Sequence, residues 1–511
     1  MQTYRMLNFS KSFSLARQFN DRKLDQIAVI ITPWHGSSIP WISTAIGLLL
    51  GERGYTINFL IDALPFGKAN FFWKLQLAAI RIVMAAVGRN HRIIWLTQSP
   101  GKDYISDLDL SRIDSLAKLN AIWSMKGESL VDNRLVSQIS SQLAIAYVEI
   151  GELIKRENFD LIIVPGGIYG TSGVWVHHAK HRDIRVSSYD SAGCGLMILS
   201  VDGVASQLQD IPRAFKMLKS KSFLEDDMSL ILQTAKTEIN KRRMGKDKFL
   251  FQLESCVSKN PIYEGGVLIA LNCSWDSAAL GLHSVFNSTQ EWIIKTVAFL
   301  LENTSVPIIV RQHPAERFLN SRTTDDYRKL LLDYFGSEPR IYFIAADDLV
   351  NTYDLIEQVL AVVVYTSTVA IEAAIQEKIV ITQSCAYYSD LSFIHKASSV
   401  DEYFKLLNDA VSGNIKSNSQ MMMDDALYCY YLTQCCNWVE TPLNDSDTSL
   451  SWTNNLISAS GVDQGANILL DAIELNIPFA YLRHLKRLSD DTLEEYIYQS
   501  SLNKGQPSKY P

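Results

Sequence analysis

The sequence predicts an α/β protein of two doubly wound domains, each a parallel sheet covered by helices on both faces. Three observations lead there. Short, continuous apolar runs rich in Val and Ile recur along the chain, as at 27–31 and 359–364, and such runs suit strands buried on both faces. Helical patterns alternate with them in both halves of the sequence, which is the signature of βαβ units. With 511 residues, two domains are a more natural expectation than one core.

Composition narrows the class. Hydrophobic residues make up 47% and charged residues 20%, so the chain can bury a core and is not disordered. A net charge of −7 argues against a nucleic-acid partner. The 7 cysteines are scattered, with no C-x-x-C pair, as expected for reduced thiols in a cytoplasmic protein rather than a disulfide framework or zinc site. No apolar stretch is long enough to cross a bilayer. The nearest, 71–88, is interrupted by Lys74 and Arg81. It suits either a helix lying on a membrane surface, here the inner membrane face, or a core helix with snorkelling cations.

Taken in order, residues 1–23 form an N-terminal arm mixing Phe9, Phe13 and Phe19 with basic residues. The first domain, 24–211, opens with a strand at 27–31. A loop containing Gly36 and Ser37 follows, then a helix from Pro40, whose missing N–H costs nothing in a first turn. A strand at 56–61 ends at Asp62, and 93–96 is a third strand. A helix at 137–156 precedes a strand at 161–164. The glycine-rich run 165–173 comes next, where Gly167 lets backbone approach a ligand closely, although the G-x-G-x-x-G spacing is absent. His177, His178 and His181 lie on the following helix and read as packing or surface residues. A strand at 185–189 then puts Asp190 at a carboxyl end, followed by small residues.

Residues 212–258 are helical and charged, and read as a connection. The second domain, 259–413, begins with a strand at 267–271 that runs into Asn272 and, four residues on, Asp276. After a helix at 289–303, the strand Pro307-Ile308-Ile309-Val310-Arg311-Gln312-His313-Pro314 stops at proline, which cannot continue a ladder. His313 therefore stands at a strand's carboxyl end, where open α/β sheets bind ligands. Helix 325–335, strand 341–344 and helix 353–358 lead to the strand 359–364, which runs into Tyr365-Thr366-Ser367-Thr368 and a helix at 369–377. The small hydroxyl residues there either cap the helix or hold a phosphate. Glu372 lies one turn beyond Thr368 and faces the same side. A strand at 379–382 closes the pattern, and 414–511 reads as a helical, polar tail with a poorly ordered end. Asp107-Leu108-Asp109 and Asp445-Ser446-Asp447 have the Asp-x-Asp form of some metal sites, but neither follows a strand. Both read as solvated loop carboxylates, and no metal site is expected.

The order of these motifs carries a resemblance. Arg-Gln-His-Pro at 311–314, Tyr-Thr-Ser-Thr at 365–368, then Glu372-Ala373-Ala374 and the Gln-Glu-Lys-Ile-Val-Ile run at 376–381 resemble the capsule-polysaccharide biosynthesis glycosyltransferases, Kdo transferases among them. The apolar run 196–201 ending at Asp202-Gly203 extends the likeness, which covers roughly 160–210 and 265–400. It implies a GT-B fold, two Rossmann-like domains facing a cleft, with donor nucleotide in the second and acceptor at the first. His313, Ser367 and Thr368 would contact the donor phosphate, with Asn272, Arg311, Thr366 and Glu372 around them. Gly36, Ser37 and Gly167 would lie on the acceptor side. Asp190 stands where the family commonly shows Glu and is a candidate base. Asp276 is the alternative base or nucleophile, and His313 belongs with the catalytic set. The activity implied is metal- and cofactor-independent transfer from a nucleotide sugar, CMP-Kdo being one candidate, to a capsule or lipopolysaccharide glycan or glycolipid. A nucleotide-sugar epimerase, a polyol-phosphate transferase and a non-catalytic nucleotide-binding relative are the alternatives.

Overall fold

The computed structural model describes residues 26–32, 34, 37–62, 64, 71–87, 91–98, 105–191, 196–220, 225–248, 260–444, 457–458 and 461–488. The expected arm at 1–23, Gly36, Asp445-Ser446-Asp447 and the end of the tail lie outside them. The chain forms two compact units. One comprises Met1–Ala117, Ser137–Ser220 and Cys436–Pro511, the other Lys118–Val136 and Lys221–Cys435.

The first unit is built on β1 (Gln26–Ile31), α1 (Ile39–Glu52), β2 (Thr56–Asp62), α2 (Phe71–Val87), β3 (His91–Leu96), α3 (Asp107–Met125), α4 (Asn133–Arg156), β4 (Leu161–Pro165), α5 (Ser172–Lys180), β5 (Arg185–Ser191), β6 (Leu196–Ser200) and α6 (Ile211–Ser220). Helix α3 and the start of α4 run through the segment assigned to the second unit. Strands β3, β2, β1, β4 and β5 lie side by side in parallel. The sheet reverses its strand order between β1 and β4, and at such a switch point the loops leaving neighbouring strands diverge and open a crevice. Pro40 sits in the first turn of α1, as expected, and residues 40–50 of that helix are all buried. Asp107 and Asp109 are in the first turn of α3 rather than in a loop. Acidic side chains favour that position because they face the free N–H groups of a helix start.

The second unit contains α7 (Glu225–Arg243), β7 (Val267–Ala270), α8 (Ser274–Ser277), α9 (Thr289–Asn303), β8 (Ile308–Arg311), α10 (Tyr327–Phe335), β9 (Ile341–Ile344), α11 (Thr352–Gln358), β10 (Ala361–Val364), α12 (Val369–Ile375), β11 (Ile379–Thr382), β12 (His395–Lys396), α13 (Val400–Val411) and α14 (Gln420–Tyr430). Among the described residues its sheet runs β12-β11-β10-β7-β8-β9, all parallel. Its switch point lies between β7 and β10. Every residue of β7, β8, β10 and β11 is buried, which is why these strands read as unbroken apolar runs.

Two expectations change. The stretch 212–258 is more than a connection: α7 lies in the second unit and packs against α14. The tail is not a polar appendage. Residues 425–430 of α14 are buried, and the chain then returns to the first unit as β13 (Val439–Glu440), α15 (Gln464–Leu475) and α16 (Phe479–Leu488). Strand β13 pairs antiparallel with β6, which is itself antiparallel to β5. Ile468, Leu469, Ala472 and Ile473 of α15 are buried at helical spacing. The polar average of the tail conceals this one apolar face.

Candidate functional site

The switch point of the second unit collects most of the expected donor residues. Asn272 follows β7, His313 follows β8, and Thr366, Ser367 and Thr368 follow β10. Their meeting there follows from the order of the parallel strands. Asn272 Oδ1 accepts the Thr366 N–H at 3.3 Å, which ties the two loops together. His313, Ser367 and Thr368 line one pocket, and Arg242 lines it with them.

His313 caps the short helical turn 314–317, and its Nδ1 accepts the Ala315 N–H at 3.2 Å. With Nδ1 so used, the neutral ring carries its proton on Nε2 and can donate there. Burial, with the guanidinium groups of Arg242 and Arg311 nearby, pushes its pKa down to about 4. The ring is therefore a neutral donor near neutral pH. The Cys273 thiol lies 3.5 Å from Nδ1, and burial raises its pKa.

Arg242 comes from the last turn of α7 and was hidden in the basic run Lys241-Arg242-Arg243. Its Nε lies 3.1 Å from Glu372 Oε1, and its Nη1 donates to Gln434 Oε1 at 3.0 Å. Glu372 is 1% exposed, so it holds the arginine from below rather than lining the pocket itself. Burial raises the Glu372 carboxyl pKa and Arg242 opposes that shift, while carboxylates and phenols around it keep the arginine charged. Only the distance to Glu372 could have revealed this pair, and 130 residues separate the two in sequence.

Arg311 is differently placed from expectation. It is 2% exposed, and its guanidinium donates to the carbonyls of Ala345 and, at 3.1 Å, Val350. It anchors the loop after β9, although it also borders the pocket. Burial pulls its pKa down to about 10. Asp276 lies in α8 and is solvent-exposed. Desolvation by the surrounding chain raises its carboxyl pKa. Near this loop, the Glu316 carboxylate accepts from Gln312 Nε2 at 2.8 Å, and burial lifts its pKa to about 7.

In the first unit, the loops after β1, β2 and β4 meet at the other switch point. Gly167 adopts φ +98°, and a Cβ there would approach Val204 to 3.1 Å. Gly170, at φ +60°, lies against the Trp34 indole. The Ser37 hydroxyl donates to the Trp34 carbonyl at 2.7 Å. Asp62, which sequence reading treated only as a strand end, is fully buried and hydrogen-bonded to Thr171 Oγ1 and the Leu64 N–H. Burial raises its carboxyl pKa to about 6. Asp190 sits inside β5, opposite Ile198 of β6. It is half-buried, and its Oδ1 accepts the Ser191 N–H at 2.8 Å.

Among the described residues no group of three His, Cys, Asp or Glu side chains is placed to hold a metal ion. Among the described residues no helix is long and apolar enough to cross a membrane.

Comparison with known proteins adds the following. The chain is similar in structure to a β-Kdo 2,4 transferase, KpsC, of Thermosulfurimonas dismutans at 12% identity and TM-score 0.35, covering 53% of this chain and 79% of that one. The β-Kdo 2,7 transferase of the same KpsC matches at 14% identity and TM-score 0.33, covering 64% and 89%. A putative UDP-N-acetylglucosamine 2-epimerase from Listeria monocytogenes matches at 11% identity and TM-score 0.25, covering 80% and 91%. No curated protein matches the sequence. A family profile described as capsule polysaccharide biosynthesis protein matches residues 220–393, the stretch that carries Arg242, Asn272, Asp276, His313, Ser367, Thr368 and Glu372.

Proposed function

We propose that this protein is a glycosyltransferase of capsule polysaccharide biosynthesis that moves a sugar from a nucleotide donor to a surface glycan or glycolipid. One observation carries the reading: Arg242, His313, Ser367 and Thr368 converge on one pocket at a sheet switch point, inside the family stretch. A fixed cation, a neutral imidazole N–H and two hydroxyls form a donor set suited to a phosphate. In transfer, the bond between the anomeric carbon and the phosphate oxygen breaks, and its electrons go to the phosphate. Arg242 and His313 Nε2 stabilise that leaving charge without a metal or cofactor. The acceptor hydroxyl attacks and gives its proton to a carboxylate. Asp190 is one candidate base. Asp276 is the other, or a nucleophile in a covalent, retaining route. On the His-Pro and Ser/Thr motifs we assign CMP-Kdo as the first donor to test.

A peripheral contact with the inner membrane face belongs to the same proposal. On α2, Leu75 and Ile82 are 51% and 49% exposed, and the exposed Lys74 and Arg81 lie on the same helix. Exposed apolar residues beside cations suit an interfacial helix. Sedimentation with anionic vesicles should fall when Leu75 and Ile82 are replaced by Ser, and unchanged sedimentation would remove this part.

The central test is a nucleotide-sugar panel with glycan acceptors, read by product mass. Transfer from one donor class, lost in His313→Ala with the fold intact, is the expected result. Nucleotide binding without turnover across the panel would instead make the protein a non-catalytic relative.

A further inference from the structure

A cavity of about 990 Å³ in the first unit is not at the switch point. It lies among α3, α4 and the C-terminal end of α5. Because α5 runs from the carboxyl end of β4 back toward the start of β5, this end is remote from the loops described above.

Its wall is a cluster of rings. Tyr147 and His178 lie 4.2 Å apart between centroids, and His177 and His181 lie 4.1 Å apart. The ring polar atoms are fixed by a chain of bonds. Tyr147 is hydrogen-bonded to Asp109, and its hydroxyl lies 3.0 Å from His177 Nε2. His178 Nε2 faces the Tyr147 carbonyl at 2.8 Å, and His181 Nδ1 faces the His177 carbonyl at 3.0 Å. Gly151 is what admits His178, since a Cβ there would meet the imidazole at 2.8 Å. Burial holds His177 and His178 down at about 4, so near neutral pH each offers one donor and one acceptor.

The charges lining the cavity are Arg112 from α3, Lys155 from α4 and Arg182 just after α5, against Asp109 and Glu152. Three cations against two carboxylates leave one positive charge in excess, in a chain whose net charge is −7. Planar polar side chains, ring faces and an open cavity suit a polyhydroxylated chain. The excess cation adds a place for an anionic substituent.

We propose that this cavity binds a strand of acidic glycan, with its sugar hydroxyls on Tyr147 and the histidines and its carboxylate on Arg112 and Arg182. The site is separate from the transfer reaction proposed above, and binding is read without any nucleotide donor, so either reading can fail alone.

The probe is a fluorescently labelled hexasaccharide of alternating uronic acid and amino sugar, read by anisotropy on the full chain. A neutral glucose hexasaccharide with the same label is the comparison. The acidic probe should bind at least ~10-fold more tightly than the neutral one. Arg112→Gln with Arg182→Gln should weaken it at least ~10-fold. Lys216→Gln with Lys219→Gln removes two cations from α6 and should leave it unchanged. Because Arg112 also pairs with Asp109 at 3.3 Å, Arg182→Gln alone serves if the double variant misfolds, and it should weaken binding several-fold. The proposal is overturned if the intact protein does not bind the acidic probe, if it binds the neutral probe equally, or if the α6 variant loses as much affinity as the cavity variant.

Discussion

At the scale of single residues, the pair Arg242 and Glu372 separates function from stability. Replacing Arg242 with Met leaves Glu372 buried without its partner, a change that costs about 3–5 kcal/mol. Replacing both, Arg242→Met with Glu372→Met, removes the stranded charge and should recover most of the lost melting temperature. Donor affinity should stay low in the double variant, because the cation is still missing from the pocket. Recovery of donor affinity along with stability would remove Arg242 from the site. His313 gives a second expectation, in pH. Its pKa is pushed down to about 4, below the usual value near 6.5 for histidine. Its N–H donor form therefore persists through the mildly acidic range, and transfer should show no loss centred near pH 6.5 arising from this ring. The unfolded chain takes up the proton near 6.5 and the folded protein only near 4, so the residue's contribution to stability is lost as pH falls through that window. Comparing the thermal stability of the native protein and His313→Gln between pH 7 and 4 checks the sign. For the carboxylates, Asp190→Asn and Asp276→Asn should each leave nucleotide affinity intact. The one that serves as base loses roughly 10²–10⁴-fold in turnover. If Asp190→Asn only lowers the melting temperature, its bond to the Ser191 N–H is structural.

At the scale of elements, the register of helix on sheet depends on small residues. A Cβ on Gly47 of α1 would come 2.4 Å from the Phe59 ring and 3.3 Å from Val29. Gly47→Ala should therefore destabilise the first unit by about 1–3 kcal/mol, the usual cost of overpacking. Adding Phe59→Leu should restore part of it, and a melting temperature unmoved by Gly47→Ala would contradict the close packing. Elements of this kind were legible in the sequence wherever burial was two-sided. The runs that became β1, β4, β8 and β10 announced themselves, and with them the loops holding His313 and Ser367. Less legible were the elements whose role depends on a distant partner. Basic residues at 241–243 are what any helix C-terminus attracts, so nothing local singled out Arg242. The tail averaged to polar, although its apolar residues repeat at helical spacing. Strand β13 has two residues, and its pairing with β6 has no local signature. His177, His178 and His181 were visible, but the cavity beside them is a product of helix packing.

At the scale of the whole molecule, the path of the chain makes the two units inseparable by any single cut. The first unit takes residues from three stretches, the last of them beginning at Cys436. That last stretch contributes much of the interior. Leu482, Leu485 and His484 of α16 are 0% exposed. On α15, Asp471 and Glu474 meet Arg53, which follows α1. A fragment ending at Ser220 would leave the faces of α6 and β6 that α16 covers open to water. Its core would be smaller by a large fraction of its buried side chains, each worth about 1.5–3 kcal/mol, against a total stability of only about 5–15 kcal/mol. Residues 26–220 expressed alone should therefore lack a cooperative melting transition and bind a hydrophobic dye. Co-expression with residues 436–488 should restore cooperative melting in a complex that purifies together. A cooperative melt by 26–220 alone would show that the returning helices decorate the first unit rather than complete it.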